Sequence, residues 1–223
     1  MTLDARRAGL WQAMGLGPVW TQRVTPSREE RIARMDWDAL GSAVAACDAC
    51  GLCATRTRTV FGVGHVAADW MLVGEAPGAE EDIKGEPFVG QAGRLLDNML
   101  ASIGLTRGGA TAQSVYIANV LKCRPPGNRN PAPEEVERCR PFLFRQIELI
   151  EPKIVLVMGR FAAQALLDTD ASIASLRGRP HAIDVAGRQV TVVVTYHPAY
   201  LLRSLADKAK AWADLCLARK IVG

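Results

Sequence analysis

The chain has no long hydrophobic run and no excess of glycine or proline. None of its apolar stretches approaches the roughly 20 residues that span a bilayer, and it carries 20 Gly and 12 Pro in 223 residues. The first 20 residues hold neither a long apolar stretch nor a small-residue cleavage site. We therefore expect a folded chain without a signal peptide, in a reducing, cytoplasmic setting. In that setting the six cysteines are metal ligands or buried thiols rather than disulfides.

The net charge of +4 is small, but the charge is unevenly distributed. Residues 122–145 hold six basic side chains against three acidic ones. A basic cluster of this kind suits a phosphate backbone. A solvated charged surface explains the same cluster equally well.

Apolar runs alternate with amphipathic segments along most of the chain. Residues 70–73, 115–121, 154–158 and 190–196 have the composition of buried strands. Helical patterns occupy residues 36–46, 92–103, 133–150, 161–167 and 206–221. This order predicts an α/β fold in three layers, with a four-stranded, mostly parallel sheet between helices. Residues 1–35 are predicted to be a helical, peripheral extension, and residues 36–223 a single domain.

Polar side chains follow these predicted strands at one end. Glu75, Asn119 and His197 each stand at or just beyond the carboxyl end of a strand, where sites gather in parallel sheets. The amide of Asn119 both donates and accepts hydrogen bonds, as reading a base edge requires. A turn-capping Asn and a structural His are the alternative interpretations. Phe88, in a loop framed by Gly and Pro, is either a core residue or a wall on which a planar ligand stacks.

The cysteine spacing indicates a metal site. Cys47, Cys50 and Cys53 lie within seven residues, and Cys123 and Cys139 flank the basic segment far downstream. Two thiolates from each region would complete a four-sulfur shell. Five cysteines compete for four places, and zinc and an iron–sulfur cluster both remain possible. We expect Cys216, on the last predicted helix, to be a core residue.

Three ordered motifs resemble those of one enzyme family. They are GEAPGAEED at 74–82 with GEPFVGQAGRLL at 85–96, VLKCRPPGNR at 120–129 followed by Cys139, and HPAYLLR at 197–203. Together they resemble the uracil-DNA glycosylases, in the iron–sulfur form known as family 4. The resemblance covers residues 45–220 approximately and leaves residues 1–35 outside it.

The resemblance implies a role for each pocket residue. Phe88 stacks on uracil, Asn119 reads its Watson–Crick edge, and His197 donates to a uracil carbonyl oxygen as negative charge builds on the leaving base. Glu75 shapes the pocket loop and positions water. The best-known uracil glycosylases place a water-activating Asp where this chain has Ala76, so Ala76 contributes to uracil binding but activates no water.

The resemblance also implies a cofactor and a DNA surface. It assigns a structural [4Fe–4S] cluster, rather than zinc, to Cys47, Cys50, Cys123 and Cys139, which leaves Cys53 as an extra thiol. DNA contacts are expected from the basic pair and the turn after His197, namely Lys122, Arg124, Leu201, Leu202 and Arg203.

The expected enzyme removes uracil from single- or double-stranded DNA and leaves an abasic site. It is expected to act as a monomer, without a membrane, a nucleotide cofactor or a divalent metal. A non-catalytic iron–sulfur or zinc DNA-binding module on the same fold is one alternative. A glycosylase for another deaminated base, such as hypoxanthine, is the other.

Overall fold

The structure, a computed structural model, describes residues 5–16, 25–108 and 113–223. The chain divides into two units, residues 1–31 and 32–223. Helix α1 (Ala5–Ala13) lies in the first unit, and helix α2 (Arg28–Ile32) crosses the division. The start of α2 is fixed by reciprocal hydrogen bonds between Ser27 and Glu30. The predicted domain boundary after residue 35 stays a prediction.

The second unit is built on a six-stranded sheet with the order β1-β3-β2-β4-β6-β5. Its strands are β1 (Val63–Gly64), β2 (Trp70–Gly74), β3 (Val115–Asn119), β4 (Ile154–Met158), β5 (Pro180–Val185) and β6 (Arg188–Thr195). The four inner strands are parallel to one another, and β1 and β5 are antiparallel edges. The inner strands are those expected from the apolar runs, and the α/β fold class is confirmed.

The sheet prediction was wrong in its strand count because both edge strands carry weak sequence signals. Strand β1 has two residues, too few to show alternation. Strand β5 alternates between exposed and buried side chains, so it lacks the continuous apolar run of an inner strand. It joins β6 through Ala186 and Gly187, which both have positive φ, at 52° and 82°, as a tight hairpin requires.

Helices cover both faces of the sheet. They are α3 (Trp37–Ala45), α4 (Ala79–Lys84), α5 (Gln91–Ala101), α6 (Pro133–Ile150), α7 (Arg160–Leu167), α8 (Ile173–Leu176), α9 (Pro198–Leu201) and α10 (Lys208–Val222). The five helices expected in this unit are present, and the sequence analysis missed the short helices α4, α8 and α9.

Two apolar cores lie on opposite faces of the sheet and form three layers. Leu143 and Ile147 of α6 and Leu166 of α7 pack on one face. Leu96 of α5 and Leu215 of α10 pack on the other. Because helices cover both faces, the residues of β2, β3 and β4 are all buried.

Parallel pairing brings the carboxyl ends of the inner strands to one edge of the sheet. Gly74 at the end of β2 lies beside Asn119 at the end of β3, and Met158 of β4 lies beside Thr195 of β6. The loops that follow these strands therefore meet on one rim. None of the helices in the described ranges is long and apolar enough to cross a membrane.

We predict that Leu72→Ala lowers the free energy of unfolding by about 2 to 5 kcal/mol, because it leaves a cavity at a fully buried position in the middle of β2. The matched control is Leu205→Ala, at a side chain that is 66% exposed, for which the change should stay within about 0.5 kcal/mol. Urea denaturation followed by circular dichroism measures both. Equal effects of the two substitutions would contradict this placement of the core.

Candidate functional site

A cavity of about 470 Å³ opens on the rim formed by the strand ends. The structure brings five of the residues expected from the sequence to its wall: Glu75, Ala76, Phe88, Asn119 and His197. The volume falls in the range of small-molecule sites. Residues that are up to 122 positions apart in the sequence thus meet in one pocket.

The floor of the pocket depends on a close approach between Gly74 and its neighbours. A methyl group on Gly74 would overlap the Asn119 side-chain oxygen and the Phe88 ring. The Asn119 Oδ1 atom is buried and has no hydrogen-bond partner among the described residues. A buried amide oxygen without a partner is costly, so this atom is available to a ligand that brings a donor.

Phe88 is held in an unusual backbone conformation. Its φ is 55°, which is rare for a bulky residue. The guanidinium of Arg107 donates to the backbone oxygens of Pro87 and Phe88 at 2.9 and 2.8 Å. Gly93 at the start of α5 packs so closely on Phe88 that a Cβ would overlap the Phe88 carbonyl. These contacts fix the ring as one wall of the pocket.

His197 is the N-cap of α9, and this role decides which ring nitrogen carries its proton. The Ala199 backbone N–H donates to His197 Nδ1 at 3.2 Å, so the neutral ring has its N–H on Nε2. Burial lowers the pKa of His197 to about 4, with Glu81 opposing this shift and Arg203 adding to it. At neutral pH the ring is therefore an uncharged hydrogen-bond donor. It stacks on Phe88 with the ring centroids 5.3 Å apart.

Glu75 follows β2 and is half-buried in the pocket wall. Burial raises the pKa of its carboxyl group, and the nearby Arg160 partly offsets this shift. Its backbone oxygen accepts a hydrogen bond from Leu121 at 3.0 Å. The loop after β2 is thereby tied to the loop after β3.

Glu81 organises the pocket loops, and the sequence analysis gave it no role. One carboxylate oxygen accepts from the Gly78 N–H at 3.1 Å, and the other accepts from Val89 at 3.0 Å. The carboxylate therefore joins the loop that carries Glu75 to the loop that carries Phe88. The spacing of Gly78 and Glu81, three residues apart at a helix start, is that of a capping box and could have revealed this role.

Basic and exposed residues surround the pocket mouth. Arg129 and Arg203 line the cavity, and Arg124 donates to Asn128 at 2.8 Å beside it. Leu202 is 41% exposed. Leu201, which was predicted to enter DNA with it, is 1% exposed. That prediction was wrong because Leu201 occupies the inner face of the short helix α9.

Lys122 was also expected at the DNA surface, and this expectation was wrong. Its side chain is 1% exposed. The ammonium group donates to the Asn119 backbone oxygen at 2.9 Å and to Gln146 Oε1 at 2.6 Å. Burial lowers its pKa to about 8, and the sulfurs of Cys139 and Cys123 oppose the shift. The Lys122 ammonium thus bonds to groups inside the protein and is not placed to reach a phosphate.

A buried ion pair supports the segment that leads into His197. Arg177 donates to Asp214 of α10 at 2.7 Å and lies over the Tyr196 ring at 4.3 Å from its centroid. The Tyr196 ring packs in turn against Tyr200. The segment around His197 is therefore supported by Arg177, which Asp214 of α10 holds in place.

A second cavity, beside the pocket, is lined by five cysteines. They are Cys47, Cys50, Cys53, Cys123 and Cys139, and the structure therefore brings the two cysteine regions together as the spacing indicated. Cys216 is exposed, so its prediction as a core residue was wrong. The buried stripe of α10 includes Leu215 and Ala218, and Cys216 is turned about 100° from Leu215.

The geometry of these cysteines bears on what they could hold. Among the described residues, no three His, Cys, Asp or Glu side chains are placed to bind a single metal ion. A zinc ion requires its ligands within about 2.3 Å, whereas an iron–sulfur cluster is a larger body that is held by cysteines around it. The five cysteines around this cavity offer thiol donors that both zinc and an iron–sulfur cluster accept.

Two hydrogen-bond donors contact cysteine sulfurs in this site. Arg56 donates to Cys123 Sγ at 3.2 Å, and the Lys122 backbone N–H donates to Cys139 Sγ at 3.3 Å. Burial raises the pKa of Cys139 to about 12 and also raises that of Cys123. A bound metal cation would oppose this effect of burial, because metal centres favour the thiolate form.

The cysteine site and the pocket share structural supports. The buried carboxylate of Asp82 in α4 accepts hydrogen bonds from the backbone of Thr57 and Arg58, just after the first cysteine region. Ala76 lines the pocket and packs against the cluster formed by Leu121 and Cys123. A change at the cysteines would therefore reach the pocket wall.

Comparison with known proteins gives a consistent result. Residues 61–216 match the model of the uracil DNA glycosylase superfamily. A type-4 uracil-DNA glycosylase of Archaeoglobus fulgidus is 50% identical over 163 residues, which are 71% of this chain and 79% of that protein. One of Pyrobaculum aerophilum is 40% identical and covers 82% of this chain and 93% of its own length. One of Thermotoga maritima is 44% identical over 74% of this chain and 82% of its own length.

We predict that the His197 ring stays neutral, with its proton on Nε2, from pH 8 down to about 5, because its pKa lies near 4 and not near the ordinary value of about 6.5. The sign follows from burial, which disfavours the charged ring. ¹⁵N NMR of histidine-labelled protein measures this state, and the signals absent from a His197→Gln variant identify the residue. A titration centred between pH 6 and 7 would contradict the assignment.

Proposed function

The chain belongs to the uracil DNA glycosylase superfamily and, within it, to the type-4 enzymes, and from this premise we propose how its pocket removes uracil from DNA. It is a hydrolase of N-glycosyl bonds that acts in DNA repair. The observation that carries the residue assignments is a neutral His197 with its N–H on Nε2, in the same cavity as Asn119 and Phe88.

The uracil base leaves the DNA stack and enters the 470 Å³ cavity. Extrusion costs a few kcal/mol, and the pocket offsets this cost by stacking and hydrogen bonding. The Phe88 ring covers one face of the base. The Asn119 amide pairs with its Watson–Crick edge, and its partnerless Oδ1 accepts the N–H of uracil.

The bond that breaks joins C1′ of the sugar to N1 of uracil. Its electron pair leaves with the base, so negative charge spreads onto the uracil oxygens while the sugar becomes cationic. The His197 Nε2–H donates to one of these oxygens, where a donor placed in advance stabilises the developing charge. A neutral donor suits this task, since it need not transfer its proton.

A water molecule then captures the sugar cation at C1′. Its oxygen forms the new C–O bond and releases a proton to the solvent, while the uracil anion takes up one proton. An abasic site and free uracil are the products. Ala76 carries no carboxylate that could activate this water. Glu75, half-buried beside it, positions the water with the backbone of the same loop.

The DNA contacts come from the residues exposed around the pocket mouth. Arg124, Arg129 and Arg203 bind phosphates, and Leu202 enters the space that the extruded base leaves. Lys122 and Leu201 take no direct part, since both are buried. The non-catalytic alternative has no support in a pocket whose three recognition residues all line one cavity.

Type-4 enzymes are iron–sulfur proteins, and we assign the cluster of this chain to Cys47, Cys50, Cys123 and Cys139. When bound, a [4Fe–4S] cluster supplies a cross-link between two remote parts of the chain. Arg56 and the Lys122 backbone stabilise the thiolates by hydrogen bonds. Cys53 lines the same cavity and stays outside this assignment.

We predict that His197→Ala slows uracil release about 10²- to 10³-fold, as expected for loss of a preorganised donor, while DNA binding is kept. The assay uses an oligonucleotide with one uracil, single-turnover conditions and alkaline cleavage of the abasic site, with a thymine oligonucleotide as the blank. His181→Gln is the matched control, because His181 lies on the edge strand β5. Near-normal release by His197→Ala would exclude the donor role.

We predict that Cys123→Ser lowers the iron content and the visible absorbance and destabilises the protein, because it removes one of four cluster ligands. Cys216→Ser is the matched control at an exposed thiol of α10 and should change neither. Unaltered iron and absorbance in Cys123→Ser would remove this residue from the ligand set.

A further inference from the structure

The buried ammonium of Lys122 lies between the cysteine site and the pocket. It is almost fully buried and lines the cysteine cavity. Its two hydrogen-bond acceptors, the Asn119 backbone oxygen and Gln146 Oε1, are both uncharged. Within the described ranges, no Asp or Glu side chain pairs with it.

A buried charge needs an opposite charge nearby, because removing an ammonium from water costs several kcal/mol. The anionic groups that Lys122 can face are the cysteine sulfurs. Cys123 is the next residue, and Cys139 accepts a hydrogen bond from the Lys122 backbone. Four thiolates carry more negative charge than an iron–sulfur core neutralises, so a loaded cysteine site supplies the missing counter-charge.

The other side of the ammonium reaches the residue that reads the base. The bond from Lys122 Nζ to the Asn119 oxygen spans three residues and closes the turn after β3. Within this turn, Val120 and Leu121 donate to the backbone oxygens of Gly74 and Glu75. The position of the Asn119 side chain therefore depends on a turn that the buried Lys122 ammonium stabilises by a hydrogen bond.

Gln146 anchors the ammonium to the rest of the fold. Its amide accepts from Lys122 at 2.6 Å and donates to the Phe61 backbone oxygen at 2.9 Å and to Tyr116 Oη at 3.3 Å. Each partner of Lys122 is thus itself held in place. A lysine side chain that is fixed in this way favours one conformation of the turn that follows β3.

We propose that Lys122 is a positioning residue that couples the cysteine site to base recognition, with its ammonium stabilised by the metal-bound thiolates on one side and fixing Asn119 on the other. This inference rests on the proposed function. It gives the cysteine site a role beyond cross-linking, since the charge of that site holds the recognition turn in its working geometry. Lys122 acts through Asn119 and does not touch the base.

The test compares Lys122→Met, which keeps the apolar stem and removes the charge, with Lys153→Met. Lys153 pairs with Asp69 at the surface and is the matched control. Lys122→Met should excise uracil about 10- to 100-fold more slowly, by analogy with the cost of mutating outer-shell partners, and should bind free uracil more weakly in calorimetry. Binding to DNA with an abasic site should stay within about threefold of wild type, since phosphate contacts are intact.

A double-mutant cycle identifies the route of the effect. If Lys122 acts through Asn119, adding Lys122→Met to Asn119→Ala should slow excision by less than about threefold more. Fully additive losses would overturn the coupling. Lys122→Met should also release iron to a chelator several-fold faster than Lys153→Met, and equal release rates would overturn the link to the cysteine site.

Lys122→Gln, which is neutral but can still donate, guards against a folding defect. We expect it to excise uracil at a rate between those of wild type and Lys122→Met. If both neutral variants bind free uracil as tightly as wild type, Lys122 serves the cysteine site alone and the proposal fails. Absence of excision by wild type and Lys153→Met would instead contradict the proposed function, whereas equal excision by wild type and Lys122→Met would contradict only this inference.

Discussion

The parallel pairing of β2 with β3 is the constraint on which the site depends. It sets Gly74 beside Asn119, and the missing side chain at Gly74 leaves room for both the Asn119 amide and the Phe88 ring. Because β6 is also parallel to these strands through β4, His197 emerges on the same edge of the sheet. Strand direction thus gathers pocket residues that no local segment of the chain could bring together.

Polar contacts hold the loops on this edge in place. Apolar packing alone could not fix the positions of these loops so closely. Glu81 joins two of them through backbone N–H groups, and Arg107 fixes the backbone beside Phe88. Charged groups that hydrogen-bond to backbone are among the stronger contacts in proteins. They also explain how Phe88 keeps a left-handed backbone that costs about 1 to 3 kcal/mol. The energy comes from the folded surroundings, which hold the ring in the pocket wall.

The sequence predicted the inner strands, the longer helices and the pocket residues, because each has a local or motif signal. Continuous apolar runs marked the inner strands, whereas the edge strand β5 alternates and escaped notice. Whether a side chain is buried was harder to predict from the sequence than the helix, strand or loop to which the residue belongs. Lys122 is basic and lies in a basic segment, yet its side chain points inward to Asn119 and Gln146. The direction of the Lys122 side chain depends on the path of the chain after β3, and the composition of the basic segment does not indicate that path. Leu201 and Cys216 were misplaced for the related reason that a helix shows one face to solvent and another to the core.

The pair formed by Arg177 and Asp214 makes the pocket depend on a helix that does not line it. Asp214 belongs to α10, and the guanidinium that it holds lies over the Tyr196 ring, next to His197. No described residue of α10 lines the cavity. A substitution on that helix could therefore disturb the segment that carries His197 without removing any group from the pocket wall.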